Sequence, residues 1–345
     1  MSNTSRFALL SGAIAGGALL ARSYVRARRF YDLNRKVVLI TGGSRGLGLV
    51  MAREFAKRGA RIVICARDAV ELERARAELS ALGADVLASI ADVTIRGDVR
   101  QLAAAVENLF GPVDVLVNDA SVIIAGPFDE MTLTDYGEAM KTHFYGPLCT
   151  IMAFLPGMRE RGHGHIVNVS SVAGKIAVPH MLPYSASKFA LAGFSEGVRA
   201  AVKREGIYVT TVCPGFMRTG SARRAEFRGQ AEKESAWFAA ADMMPGLTID
   251  ADRAGRMIVD ACAYGDAELV MPVSAWIGAK ASALMPGVTS DLLSLSERLL
   301  PQADEASGGR HEGDDVSREH IPGWLAKRDD AAAEKNNEVK LRMVP

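Results

Sequence analysis

Tyr184 and Lys188 stand four residues apart in Tyr184-Ser185-Ala186-Ser187-Lys188, at the start of a long apolar stretch with helical spacing. Residues i and i+4 share one face of a helix, so both side chains can point into one cleft. A phenol ordinarily releases its proton near pH ~10, too high for an efficient base at neutral pH. A neighbouring ammonium favours the phenolate and lowers that value, so the pair is suited to proton transfer. Ser171 comes thirteen residues before Tyr184, directly after Val167-Asn168-Val169-Ser170. That run reads as a strand, and open α/β sheets build their sites at strand C-termini.

A second constellation lies near the start of the chain. Thr41-Gly42-Gly43-Ser44-Arg45-Gly46-Leu47-Gly48 follows one apolar run and opens a helical one. Glycines there permit a tight turn and close backbone approach, so a pyrophosphate can rest on the helix N-terminus. The flanking strand and helix are the context that gives such a glycine triplet its meaning. The end of the second strand reads Ile64-Cys65-Ala66-Arg67-Asp68, with no acid at Cys65 or Ala66 to hold a ribose 2′-OH. Arg67 and Arg45 both approach the adenosine side, and two guanidinium groups favour a 2′-phosphate. The pattern predicts NADP(H) as the preferred cofactor, with NAD(H) as the alternative if Asp68 takes the ribose rather than capping a helix.

These residues need a scaffold that brings distant segments to one edge. From Lys36 onward, Val- and Ile-rich runs alternate with helical spacing: Lys36–Thr41, Arg61–Ala66, Val86–Ala91, Val113–Asn118, His165–Ser170 and Ile207–Cys213. A further short run falls at Glu268–Met271. Continuous apolar strands separated by helices predict a parallel sheet covered on both faces. The expected fold is α/β, a doubly wound parallel sheet (Rossmann fold) of about seven strands.

Between Lys36 and Met271 the chain resembles the short-chain dehydrogenase/reductase family, with its TGxxxGxG loop, Ser, and YxxxK. The resemblance implies hydride transfer between a nicotinamide and a carbonyl or alcohol. Tyr184 would give a proton to the carbonyl oxygen or take it from the alcohol, Ser171 would align that oxygen, and Lys188 would bind the nicotinamide ribose and depress Tyr184. It further implies that Asp92, followed by Val93, contacts adenine, and that Asn118 and Ala120 support the cofactor face. In Pro214-Gly215-Phe216-Met217-Arg218-Thr219, Thr219 would contact the carboxamide, and residues 220–246 would form the substrate lid. Two positions depart from the pattern. NNAG appears as Asn118-Asp119-Ala120-Ser121, and His143 stands where the family carries a catalytic Asn that holds a water of the proton relay. Imidazole, with its proton affinity near pH ~6.5, is expected to act as a relay there.

The remaining features bound the setting. A net charge of +1 gives no reason to expect nucleic-acid binding. Cys65, Cys149, Cys213 and Cys262 lie far apart in apolar stretches, so buried reduced thiols are expected and no metal cluster. Residues 1–35 combine an apolar run, Phe7–Ala21, with Arg22, Arg26, Arg28 and Arg29. The run is short against the roughly 20 residues of a bilayer span. A membrane anchor or interfacial helix with the catalytic part on the cytoplasmic side stands against a surface-packed helix. Trp237, Phe238, Met243 and Met244 in the lid suggest a lipophilic small-molecule substrate. Residues 273–301 predict two short amphipathic helices broken at Pro286-Gly287, and 302–345 a largely flexible charged tail in which only Ile321–Leu325 has docking residues. The helices near 135–161 and 184–204 carry apolar faces for homo-oligomerisation. A nucleotide-binding scaffold with impaired catalysis is the alternative function, supported by His143 and the altered NDAS.

Overall fold

In the computed structural model, residues 23–244, 246–303, 309–317 and 319–339 are described. The first half alternates as expected: β1 (Val37–Thr41), α1 (Gly46–Lys57), β2 (Arg61–Ala66), α2 (Ala69–Ala81), β3 (Val86–Ile90), α3 (Arg96–Phe110) and β4 (Val115–Asn118). Next come β5 (Ile124–Ala125), α4 (Leu133–Met140), a π-helical turn (Lys141–Tyr145), α5 (Gly146–Arg161), β6 (Gly164–Val169), α6 (Leu182–Val202) and β7 (Ile207–Pro214). The lid region holds β8 (Met217–Arg218), β9 (Glu226–Phe227) and α7 (Ala231–Met243). The chain continues through β10 (Ile249–Asp250), α8 (Ala251–Ala263), β11 (Glu268–Met271), α9 (Val273–Leu284), α10 (Pro286–Glu297), β12 (His311–Glu312) and α11 (Gly323–Lys335).

Seven strands form one parallel sheet in the order β11-β7-β6-β4-β1-β2-β3. Alternate residues of β1 explain its double coverage. Val38 and Ile40 join the core under α1, α2 and α8, while Val37 and Leu39 join the core under α3, α5 and α6. The strand order reverses between β1 and β4, and the crevice beyond the strand ends at that point is where doubly wound sheets take ligands. The register brings Thr41 opposite Asn118, and Asn118 opposite Asn168, along this edge.

Buried polar side chains tie the edge together. Asn118 Nδ2 donates to Asn168 Oδ1 at 2.9 Å, and Thr150 Oγ1 donates to Asn118 Oδ1 at 2.7 Å. Asn168 Nδ2 donates to Ser195 Oγ at 3.0 Å, fixing α6 against β6. Satisfied groups of this kind rigidify, whereas any one left unpaired would cost free energy.

The tail differs from the sequence expectation. Ile321 and Leu325 are buried in a cluster with Phe227, Phe238 and Met243 of the lid, while Trp324 stays exposed. Arg223 holds Asp330 at 2.5 Å and Asp314 at 3.2 Å. Widely spaced apolar residues on α11, which composition alone reads as solvated, thus find a lid face to bury against. α9 and α10 are helical, and none of their residues is buried.

Three cysteines are buried, Cys149 is half-buried, and all four are free. Among the described residues no group of His, Cys, Asp and Glu could hold a metal ion, and no helix is long and apolar enough to cross a membrane. The apolar run Phe7–Ala21 lies outside the described residues.

Phe55, with no solvent exposure on α1, is a direct probe of this core. Phe55→Ala should cost roughly 3–5 kcal/mol through lost burial and a residual cavity. Urea unfolding should show a lower midpoint at an unchanged slope.

Candidate active site

The glycine loop opens the site. Gly42 and Gly46 have φ of +71° and +55°, a region that side chains with Cβ rarely adopt. A Cβ on Gly48 would lie 2.2 Å from the Gly42 carbonyl oxygen, so the close turn into α1 requires glycine there. Beyond this loop lies a cleft of about 580 Å³. Gly42, Ser44, Arg45, Gly46, Leu47, Arg67, Asp92, Val93, Ala120, Tyr184, Lys188, Pro214 and Thr219 all line it. Thr41 and Asn118 lie behind its wall, where the Thr41 hydroxyl accepts the Asp119 and Ala120 N–H groups at 3.1 and 3.2 Å. Gly215 and Ser171 instead face an adjoining recess of about 110 Å³, which also touches Tyr184 and the cleft wall. A glycine cradle at a helix N-terminus, at the head of a cleft of this size, fits a dinucleotide.

Asp68 settles into the role of a helix cap. Its Oδ1 accepts the Val70 and Glu71 N–H groups at 2.8 and 2.9 Å, at the N-terminus of α2. Arg67 is exposed at the cleft. Arg45 is not free as the sequence suggests: it pairs with Glu71 at 3.4 Å and with Glu338 from the tail. Asp92 shapes its own turn by accepting the Thr94 N–H at 2.8 Å.

At the floor, Lys188 is 2% exposed and donates from Nζ to the Val169 carbonyl at 2.9 Å, with the ammonium 5.3 Å from the Tyr184 ring centroid. The Ser171 hydroxyl hydrogen-bonds the Tyr184 phenol, and its own oxygen accepts the Ala173 N–H at 3.0 Å. Burial pushes the phenol up to about 12, against the smaller lowering by Ser171. Desolvation is thus the largest influence on the phenol. Burial also pulls Lys188 down to about 8, opposed by the negative field of Asp119. Asp119 is itself held up at about 8 by burial, despite Lys188. At neutral pH the phenol is protonated.

His143 is fully buried behind Tyr184, its ring 5.3 Å from the phenol ring in an edge-on arrangement. The Val122 N–H donates to Nε2 at 3.1 Å, so Nε2 accepts and Nδ1 carries the proton. Nδ1 then donates to Ser187 Oγ at 2.7 Å, and Ser187 donates onward to the Tyr184 carbonyl at 2.9 Å. The Ser121 hydroxyl completes the set at 2.8 Å from Nε2. Burial first, then the Lys188 charge, hold the imidazole well below its ordinary proton affinity. With both ring nitrogens engaged, His143 clasps the 121–122 loop to α6. Ser121, which departs from the family pattern, is its partner.

The sequence did not single out Asp242, Glu71, Arg224 or Glu338. Asp242, on the lid helix α7, is 3% exposed at the wall of the recess and accepts from Ser221 at 3.2 Å. Burial holds its carboxyl well above the ordinary range. The tertiary arrangement of lid and tail brings Asp242 to the recess and Arg224 and Glu338 to the cleft, where Glu71 of α2 also lies.

The family model for short chain dehydrogenase matches residues 36–228. The chain belongs to the short-chain dehydrogenase/reductase family, and is thereby an NAD(P)(H)-dependent oxidoreductase acting on hydroxyl or carbonyl groups. It is similar to dehydrogenase/reductase SDR family member 7B of Danio rerio, 36% identical over 222 residues, covering 63% of this chain and 72% of that one. The mouse (Mus musculus) protein of the same description is 35% identical over 222 residues, covering 63% and 68%. Among solved structures, an actinorhodin polyketide ketoreductase variant with NADPH aligns at TM-score 0.61 and 30% identity, over 68% of this chain and 95% of that one. A short-chain dehydrogenase from Streptomyces avermitilis aligns at TM-score 0.65 and 30% identity, over 76% and 97%.

The neutral clasp has a signature in stability. His143 binds its proton less readily folded than unfolded, where the value is near 6.5. Its contribution is complete above the unfolded value and is lost as pH falls through it. His143→Asn should lower the thermal midpoint at about pH 7.5 and make its decline toward about pH 5 shallower. Parallel declines in the two proteins would contradict this assignment.

Proposed function

We propose that the protein is an NADP(H)-dependent oxidoreductase that moves hydride between nicotinamide and a carbonyl or alcohol carbon of a lipophilic substrate. The observation that carries the reading is the convergence of Ser171, Tyr184 and Lys188 where the long cleft meets the apolar recess. Bound nicotinamide supplies or accepts the hydride. Tyr184, whose phenol burial makes still more reluctant to ionise, donates its proton to the substrate oxygen in reduction and recovers it in oxidation. Ser171 aligns that oxygen, giving up its long 3.3 Å bond to the Pro214 carbonyl. The ammonium of Lys188 keeps donors beyond the one used on Val169 for the ribose hydroxyls. Asp119, near Lys188, is a candidate to exchange its proton in place of His143.

Ile123, Val178, Met181, Phe216 and Phe238 around the recess support an apolar substrate. Arg67 supports the 2′-phosphate reading, joined by Arg45 once its carboxylate partners release it. Exposed Met152 on α5 and Phe189 on α6 support a homo-oligomer through those helices. The basic residues 22–29 support a cytoplasmic-side location with membrane contact through residues 1–35.

Incubation with a panel of aldehydes and ketones tests the reading. NADPH should be consumed faster than NADH, most with bulky apolar ketones. Arg67→Ser should raise KM for NADPH about tenfold and leave that for NADH nearly unchanged, through loss of a charged phosphate contact. NADPH binding without turnover on any carbonyl would favour the nucleotide-binding scaffold instead.

A further inference from the structure

The C-terminal segment reaches the glycine loop from outside the family-matched region. The Gly46 N–H, at the start of α1, donates to the Asn336 carbonyl at 2.8 Å. The Asn337 side-chain amide donates to the Ser44 carbonyl at 2.8 Å and to the Glu71 carbonyl at 3.0 Å. Glu338 is 3% exposed and ion-pairs with Arg45, while its main-chain carbonyl accepts from Arg224 Nε at 2.9 Å. A Cβ on Gly46 would lie 2.5 Å from Glu338 Oε1, so the carboxylate rests directly against the glycine that allows close approach.

This is the arrangement a phosphate takes at such a loop: an anion over a glycine, at a helix N-terminus, beside an arginine. Glu338 is one of the cleft's lining residues and lies close enough to raise the proton affinity of Asp119 deeper in it. The remaining charges make the cleft poorly suited to a dinucleotide as it stands. Arg45, Arg67, Lys188 and Arg224 face Asp68, Glu71, Asp92, Asp119, Glu226, Glu312 and Glu338 across it. A bound dinucleotide adds at least two negative charges at the position where Glu338 already neutralises Arg45.

We propose that the glycine-loop cleft is also a binding site for the chain's own C-terminal segment, with the Glu338 carboxylate standing in for a cofactor phosphate. The inference rests on the dinucleotide reading of the cleft. Cofactor and segment exclude one another, so dinucleotide binding releases residues 336–338 and frees Arg45. Because the pyrophosphate is common to both cofactors, the competition applies to NADPH and NADH alike. The grip also has an anchor outside the cleft. Arg53 on α1 donates to Asn336 Oδ1 at 3.1 Å and to the Lys335 carbonyl at 2.6 Å.

The test is cofactor binding to the full chain, followed by nicotinamide fluorescence, for wild type, Glu338→Gln and Arg53→Ala. Glu338→Gln keeps the shape of the side chain and removes its charge; Arg53→Ala loosens the segment without touching the cleft. Both should lower the dissociation constants of NADPH and NADH, by about tenfold for Glu338→Gln, or about 1.4 kcal/mol. Hydrogen exchange in residues 323–339 of the wild-type protein should speed up when NADPH is added. Unchanged or weaker binding in both variants, or slower exchange with NADPH, would overturn the proposal and make the segment a wall that closes over bound cofactor. If wild type and variants bind neither dinucleotide, the reading of the cleft falls together with the proposal.

Discussion

A lysine ammonium buried in the wall of a cleft is costly, because an ion removed from water must be repaid by nearby charges and hydrogen bonds. Lys188 occupies such a position, and much of the surrounding architecture is placed to tolerate it. The strand end of β6 gives it the Val169 carbonyl, the loop after β4 gives the Asp119 carboxylate, and the first turn of α6 gives the face of Tyr184. Those three segments meet because β4 and β6 are neighbours in the sheet and the chain leaving β6 runs into α6. The buried amide and hydroxyl chain through Asn118, Asn168 and Ser195 then keeps β4, β6 and α6 in fixed relation.

The same scarcity of solvent sets the protonation states. Tyr184 is driven up, Lys188 is driven down, and His143 is held neutral. A phenol that keeps its proton is suited to reduction of a carbonyl, whereas oxidation of an alcohol requires the phenolate. The π-helical turn at Lys141–Tyr145 brings the His143 ring beneath Tyr184, where its one N–H and one acceptor nitrogen are both used. The imidazole spans the gap between Val122 and Ser187.

Much of this was legible in the residues themselves. Tyr184 and Lys188 lie one helical turn apart, and Ser171 falls at a strand end, so local spacing was enough to bring them together. The seven strands were legible because each is a short continuous apolar run. Three things were not. The proton affinities of Tyr184 and His143 depend on burial, which no local pattern encodes. Arg45 looked free because its partners, Glu71 and Glu338, lie 26 and 293 residues away. The docking of α11 beyond Leu325 was hidden because its other buried residues, Asp329 and Ala333, are few and set in a charged stretch.

The central claim is that a protonated Tyr184, aligned by Ser171 and Lys188, supplies the proton that accompanies hydride transfer. The most direct measurement is the single-turnover rate of NADPH oxidation by a carbonyl substrate in Tyr184→Phe, with NADPH affinity measured on the same protein. The account predicts a fall of about 10²- to 10⁴-fold in rate, the usual worth of a positioned general acid, with NADPH binding retained. A rate within about threefold of wild type, well short of that worth, would contradict it.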